Sequence, residues 1–177
     1  ERKNLLRQRS MYLKRLFNNE PMRFKGTQDN KVGNLEILSE NTVKSISKIL
    51  NKEYTDIRVA EHKLYRNMGT SVYMKNKYEM GYSEANAGSG EIAVVQLVRR
   101  IEKAKEYSLV LLDEPEVSLH PGAQENLKEY LLETIKTKKL QVVISTHSPT
   151  LIKGLPSSAI KLFKTNEFGK FYVQENI

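Results

Sequence analysis

The chain has 177 residues, 39% of them hydrophobic, which is enough for one real core or two small lobes and excludes disorder or a collagen-like repeat as a description of the whole. It holds no Cys, so a disulfide framework and a Cys-ligated zinc site are excluded, and no apolar stretch approaches the roughly 18 residues that a membrane helix needs. The charge balance, 29 − 21 = +8, tolerates polyanions such as nucleotides or nucleic acid without requiring them.

The simplest expectation is a cytoplasmic protein in a reducing compartment, with no membrane partner. The chain opens at Glu1 without an initiator Met, which suggests a piece of something longer. From Glu1 to about Lys31, Leu5, Leu6, Leu13, Leu16 and Phe17 recur at helical spacing among Arg2, Lys3, Arg7, Arg9, Lys14 and Arg15. This predicts a basic amphipathic helix, then a polar loop through Gly26, Asp29, Asn30 and Gly33. The cations can touch nucleic-acid phosphates, or they can form a solvated face; charge runs are usually the latter. Ser39 is placed to N-cap a short helix burying Val43, Ile46 and Leu50. Ile57 to Tyr65 and Ser71 to Asn76 read as two strands around a turn at Asn67-Met68-Gly69, although their alternation is poor.

From Ser83 onward the pattern sharpens. A polar, small-residue loop to Gly90 precedes a helix with Ile92, Val95, Val98 and Ile101 on one face. Leu109-Val110-Leu111-Leu112 has the composition of a strand buried on both faces. A helix follows from about Gly122 with Leu127, Tyr130 and Leu131 inward, then a strand at Val142-Val143-Ile144. Strand, helix, strand in this order predicts a parallel crossover. Ile160 to Phe163 and Phe171-Tyr172-Val173 read as a last pair around Gly169.

The first of these strands ends in Asp113-Glu114-Pro115. Buried carboxylates are costly unless a cation or hydrogen bonds compensate them, and in open α/β sheets ligands sit beyond the carboxyl ends of the strands. Neighbouring strand residues point to opposite faces, so Asp113 and Glu114 can take different jobs: one can hold Mg²⁺ through a water while the other orients or deprotonates an attacking water. The plain alternative is a strand end finished by solvated acids. His147, in Ser145-Thr146-His147-Ser148-Pro149, falls just past the end of the second strand, on the same rim. An imidazole there can donate to a phosphate oxygen or to the attacking water. The plain alternative is a loop histidine capping the short helix that follows. Asn86-Ala87-Gly88-Ser89-Gly90-Glu91 leads into a helix whose free N–H groups suit an anion. The plain alternative is an ordinary flexible loop with Ser89 as N-cap.

Together these elements resemble the C-terminal half of an ABC-type ATPase head, in the branch that holds SMC, RecF-type and OLD-family proteins. Asp113-Glu114-Pro115 resembles Walker B, Glu116-Val117-Ser118-Leu119-His120-Pro121 the D-loop, and Ser145 to Pro149 the switch-histidine loop. Gly88-Ser89-Gly90-Glu91 is similar to the signature motif, with Gly88 where the usual Ser-Gly-Gly-Glu pattern has a serine. The run from Tyr82 through Gln124 most resembles bacterial antiphage ATPases of the Septu and retron-associated kind and OLD-like endonucleases.

The resemblance implies an α/β fold: the C-terminal lobe of a P-loop NTPase, with parallel strands and flanking helices over 83–177, beside a mixed helical and β lobe over 1–82. It implies ATP and Mg²⁺ as cofactors, with Asp113 on the metal, Glu114 polarising water and His147 on the γ-phosphate. Gly88, Ser89, Gly90 and Glu91 would serve ATP held by a second head, and Ser118, Leu119 and His120 would line the seam, although in this motif the histidine more often shapes the turn before Pro121 than touches substrate. The partners implied are that second head, a nuclease or other effector chain, and DNA. No Gly-x-x-x-x-Gly-Lys-[Ser/Thr] occurs, so the phosphate-binding loop is expected upstream and this segment alone is expected to be inactive. The competing readings are a non-catalytic, nucleotide-dependent dimerisation scaffold and a DNA clamp in which ATP only regulates binding.

Overall fold

The computed structural model of the chain describes Phe17 and residues 31–64 and 67–175. The predicted basic helix, apart from Phe17, lies outside the described residues, as do Gly26, Asp29, Asn30 and Tyr65.

An antiparallel sheet comes first, in the order β1 (Lys31–Ile37), β2 (Tyr54–Leu64), β3 (Asn67–Asn76) and β4 (Gly81–Ser83). The predicted turn at Asn67-Met68-Gly69 is corrected: Leu64 pairs with Asn67 and His62 with Gly69, so all three residues belong to β3. Gly33, expected in a loop, lies in β1, beside a shift of register between Val32 and Leu35. The poor alternation of β2 and β3 has a physical cause: both faces are buried. Ile57 and Val59 with Val72 and Met74 enter the main core, while Ala60 turns to the opposite side and packs with Phe17, Leu35 and Tyr73. The Phe17 and Tyr73 rings lie 5.3 Å apart.

Helix α1 (Glu40–Leu50) begins as expected, with Ser39 Oγ accepting the Thr42 N–H at 3.2 Å, and ends at Asn51 in the left-handed region. It buries Val43, Ile46, Ile49 and Leu50 against α2 (Ser89–Lys103) and α3 (Pro121–Lys138). In α2 the β-branched Val94, Val95 and Val98 are fully buried; they are modest helix formers, and packing overrides propensity there. Asn126 of α3 donates to the Lys48 carbonyl at 2.9 Å, an oxygen at the end of α1 that also accepts the Asn51 N–H at 3.3 Å. Arg99 of α2 joins Glu36 at 2.7 Å and Glu61 at 3.1 Å, which ties the helix to β1 and β2. One apolar core therefore runs across residue 82, from Leu38 to Leu140.

Strands β5 (Leu109–Asp113) and β6 (Gln141–Ser145) pair in parallel around α3, in register from Leu109↔Gln141 to Asp113↔Ser145. The expectation that β5 is buried on both faces is corrected. Val110, Leu112, Val142 and Ile144 pack on the core, whereas Leu111 is 71% exposed and Leu109 and Val143 face the same open side. After the short helix α4 (Pro149–Ile152), β7 (Lys161–Thr165) and β8 (Phe171–Glu175) form an antiparallel hairpin with Phe163 and Phe171 exposed. Among the described residues, no helix is long and apolar enough to cross a membrane.

Candidate functional site

The parallel register places the ends of β5 and β6 side by side, and the polar residues gather there. Asp113 lies on the open face, where its Oδ1 accepts the Ser145 hydroxyl. Glu114 takes a left-handed backbone, φ 41°, a conformation costly for a residue with a Cβ. Its N–H donates to the Ser145 carbonyl at 3.0 Å, which holds the turn in place. The Glu114 carboxylate then meets His147 Nε2 at 3.3 Å, although thirty-three positions separate the two residues. The imidazole is 92% exposed, so it stands on the rim and not in the core. It does not cap α4: the cap is Ser148, whose Oγ accepts the Thr150 N–H at 3.1 Å.

The signature-like segment approaches from the other side. Gly88 is the N-cap of α2 and has no side chain to offer, so Glu91 reaches back and accepts the Gly88 N–H at 2.7 Å. Ser89 is exposed at the first position of the helix and is not the cap. Gly90 is buried against the turn at Ser118 and Leu119: a Cβ there would lie 2.5 Å from the Ser118 carbonyl oxygen and 3.0 Å from Leu119 Cδ2. Ser89, Asp113, Glu114 and Ser118 line one groove of about 560 Å³ between α2 and β5.

Several expected roles shift. Glu91 is not directed at a ligand. It is 8% exposed, and beyond Gly88 it accepts from Lys52 Nζ at 2.8 Å, Tyr54 OH at 2.5 Å and Tyr82 OH at 2.8 Å. Burial alone would raise its pKa; the bonds from Lys52, Tyr54, Gly88 and Tyr82 outweigh that and bring it down from 4.5 to about 2. Leu119 is buried in the core, so its side chain is not at a seam. His120 caps α3, its Nδ1 accepting the Ala123 N–H at 3.3 Å, while Ser118 is exposed with φ 69°.

Two residues gained no role from the sequence. Glu116 is buried, and its Oε1 accepts the Thr146 hydroxyl and the His147 N–H. Gln124 bonds Ser148 Oγ at 2.6 Å through Oε1 and donates to the Leu119 carbonyl at 2.8 Å. Both lie in or beside the motif-bearing stretch, but only the folded contacts separate an inward Glu116 from an outward Glu114. A second groove, of about 610 Å³, holds Lys48, Lys52 and Lys77, each already paired, with Glu129, Glu91 and Glu53. It lacks the acid–imidazole pair.

An acid pair and an imidazole gather at the ends of adjacent parallel strands, beside a glycine-led helix start, and similarity to known proteins supports the SMC and OLD-like branch of the ABC-type ATPases. The chain belongs to the family described as "AAA domain, putative AbiEii toxin, Type IV TA system", whose model matches residues 6–153. It is 29% identical over 146 residues to Protein ea59 of Escherichia phage lambda, covering 80% of this chain and 25% of that protein. It is 26% identical over 142 residues to Old nuclease of Escherichia phage P2, covering 65% of this chain and 24% of that protein. The chain thus spans about a quarter of the length of these relatives. Its fold is similar to that of a structure described under ATP-driven dimerization and DNA-stimulated activation of SMC ATPases (TM-score 0.58, 17% identity, 77% of this chain and 81% of that chain). It is also similar to the Smc head domain of Pyrococcus yayanosii (TM-score 0.52, 16% identity, 77% of this chain and 26% of that chain).

Proposed function

We propose that this chain supplies the signature, Walker B and switch parts of a head that binds and hydrolyses ATP, closes on a second head around the nucleotide, and drives a DNA-processing or antiphage effector. The observation that carries the reading is the meeting of Glu114 and His147 at 3.3 Å on the strand-end rim. Water attacks the γ-phosphorus, the bond to the bridging oxygen breaks, and Glu114 takes the proton of the attacking water. His147 stands beside that carboxylate with its ring free to donate to a phosphate oxygen. Ser89 and Gly90 present the start of α2, and Ser118 an exposed turn, to nucleotide held by the second head.

Mg²⁺, when bound, neutralises charge on the phosphates. Among the described residues no cluster of three or more His, Cys, Asp or Glu could cage a metal. An ATP-linked Mg²⁺ needs only one or two carboxylates beside phosphate oxygens and water, and Asp113, exposed at the strand end, fits that need. The open apolar side of β5 and β6 supports a further layer carrying the phosphate-binding loop. Contiguous exposed Leu and Val of this kind usually mark a surface that another element covers. The nuclease among the relatives supports an effector that cuts nucleic acid, and the phage origin of both relatives supports a setting in phage–host conflict.

The test is ATP turnover by the complete protein and its Glu114→Gln variant. Hydrolysis that the substitution removes supports the reading, and equal rates overturn it.

A further inference from the structure

Glu116 stands two residues after Glu114 but is 7% exposed, and a carboxylate is costly to bury without partners. Its Oε1 serves two donors of the switch loop, the Thr146 hydroxyl and the His147 N–H at 3.2 Å, while its Oε2 is buried with no hydrogen-bond partner among the described residues. A carboxylate placed only to fill space would not converge on one loop in this way. Thr146 Oγ1 in turn accepts the Ser148 N–H at 2.9 Å, so its hydroxyl hydrogen is left for Glu116. The His147 ring, by contrast, is 92% exposed, and among the described residues its one recorded polar contact is Glu114. Where the ring stands is therefore decided by the backbone beneath it, and Glu116 holds the N–H of that backbone.

Resting on the functional reading above, we propose that Glu116 is a positioning residue: it latches the switch loop to the D-loop so that the His147 imidazole faces the Glu114 carboxylate. The latch holds the backbone N–H of His147 itself. The neutral contact of Ser148 with Gln124 fastens the far side of the same loop at 2.6 Å. Removing Glu116 therefore loosens His147 without releasing the whole loop. Glutamine retains the Oε1 acceptor and keeps the geometry; alanine does not.

The experiment uses the complete protein with labelled histidine, followed by NMR of the His147 ring, beside ATP turnover. Glu114→Gln is expected to shift the His147 ring resonances in the otherwise unaltered protein and in Glu116→Gln, and to leave them unmoved in Glu116→Ala. Thr146→Val, which removes one of the two donors and nearly preserves shape, is expected to reduce the response and keeps the test alive if Glu116→Ala fails to fold. In turnover, Glu116→Ala is expected to lower kcat by roughly tenfold to a hundredfold with KM for ATP little changed, since misplacing a reacting group by about 1 Å costs on that order. Glu116→Gln restores most of kcat. An undiminished His147 response to Glu114→Gln in both Glu116→Ala and Thr146→Val overturns the positioning role. Absence of ATP turnover in the unaltered protein overturns the functional reading and leaves the ring coupling to be judged by itself.

Discussion

Gly90 and Ser118 meet backbone to backbone: a Cβ on Gly90 would stand 2.5 Å from the Ser118 carbonyl oxygen. The start of α2 is thus seated on the Ser118-Leu119 turn of its own chain. At most helical positions Gly→Ala gains up to about 1 kcal/mol from propensity. Here the obstacle is a carbonyl, not the far end of a flexible side chain, and Ser118 is already held at φ 69°. Gly90→Ala is expected to destabilise the fold by about 1–3 kcal/mol, the usual cost of overpacking. Urea unfolding measures it. A stabilised variant would show that this contact yields freely and that Gly90 is needed only for approach to a phosphate.

Glu91 makes a prediction about acid. Its carboxylate is held at about 2 against 4.5 when unperturbed, by Lys52, Tyr54, Gly88 and Tyr82. A depressed folded-state pKa contributes stability above the unfolded value and loses it as pH falls through the folded one. The contribution should be complete above about pH 4.5 and vanish on approach to pH 2, and the difference corresponds to on the order of 3 kcal/mol. Unfolding free energies of the unaltered chain and Glu91→Gln, measured from neutral pH downward, should converge over that interval. A constant gap at every pH would mean that Glu91 acts through shape and not charge.

The readable parts of the sequence were those in which one local signal suffices. Apolar spacing placed α2 and α3, and the short apolar runs ending in Asp113-Glu114 and Ser145-Thr146-His147 placed the strand ends that become the rim. What could not be read depended on partners far along the chain. β1 carries Gly33 and few β-branched residues; it is a strand because β2 offers it a ladder. The alternation of β2 fails because Phe17 and Tyr73 cover its second face. Glu91 shares a motif expected to face nucleotide, and only Lys52 and Tyr54, some forty residues earlier, show why it turns inward. Glu114 and Glu116 are chemically identical in sequence; Pro115 and the left-handed Glu114 separate their environments.

Glu114 should be separable from nucleotide binding. In the complete protein Glu114→Gln keeps the side-chain shape and its backbone bond to the Ser145 carbonyl, but removes the basic oxygen. Turnover is expected to fall by about a hundredfold or more, in the range assigned to a positioned base. ATP-dependent association of two heads should persist or accumulate, because the closed state is no longer emptied by hydrolysis. Single-turnover hydrolysis and light scattering on the same sample measure the two properties. Hydrolysis at the unaltered rate would remove Glu114 from the base role.

Ser89 tests the second half of the site. It is exposed at the first position of α2, and its hydroxyl is not occupied by the cap, which Glu91 supplies instead. An arginine there tolerates the fold, since a cation at an exposed helix start costs only about 0.3–1 kcal/mol. On the proposed function, it would still fill the space meant for a nucleotide on the opposing head. Ser89→Arg, introduced with Glu114→Gln so that ATP is not consumed, is expected to abolish ATP-dependent association while leaving nucleotide binding to the single head within about twofold of the parent, because that binding does not use this turn. Gel filtration with ATP and titration with a fluorescent ATP analogue separate the two. An undiminished dimer would place the start of α2 away from the opposing nucleotide, and Gly88, Ser89 and Gly90 would then serve only the packing of this chain.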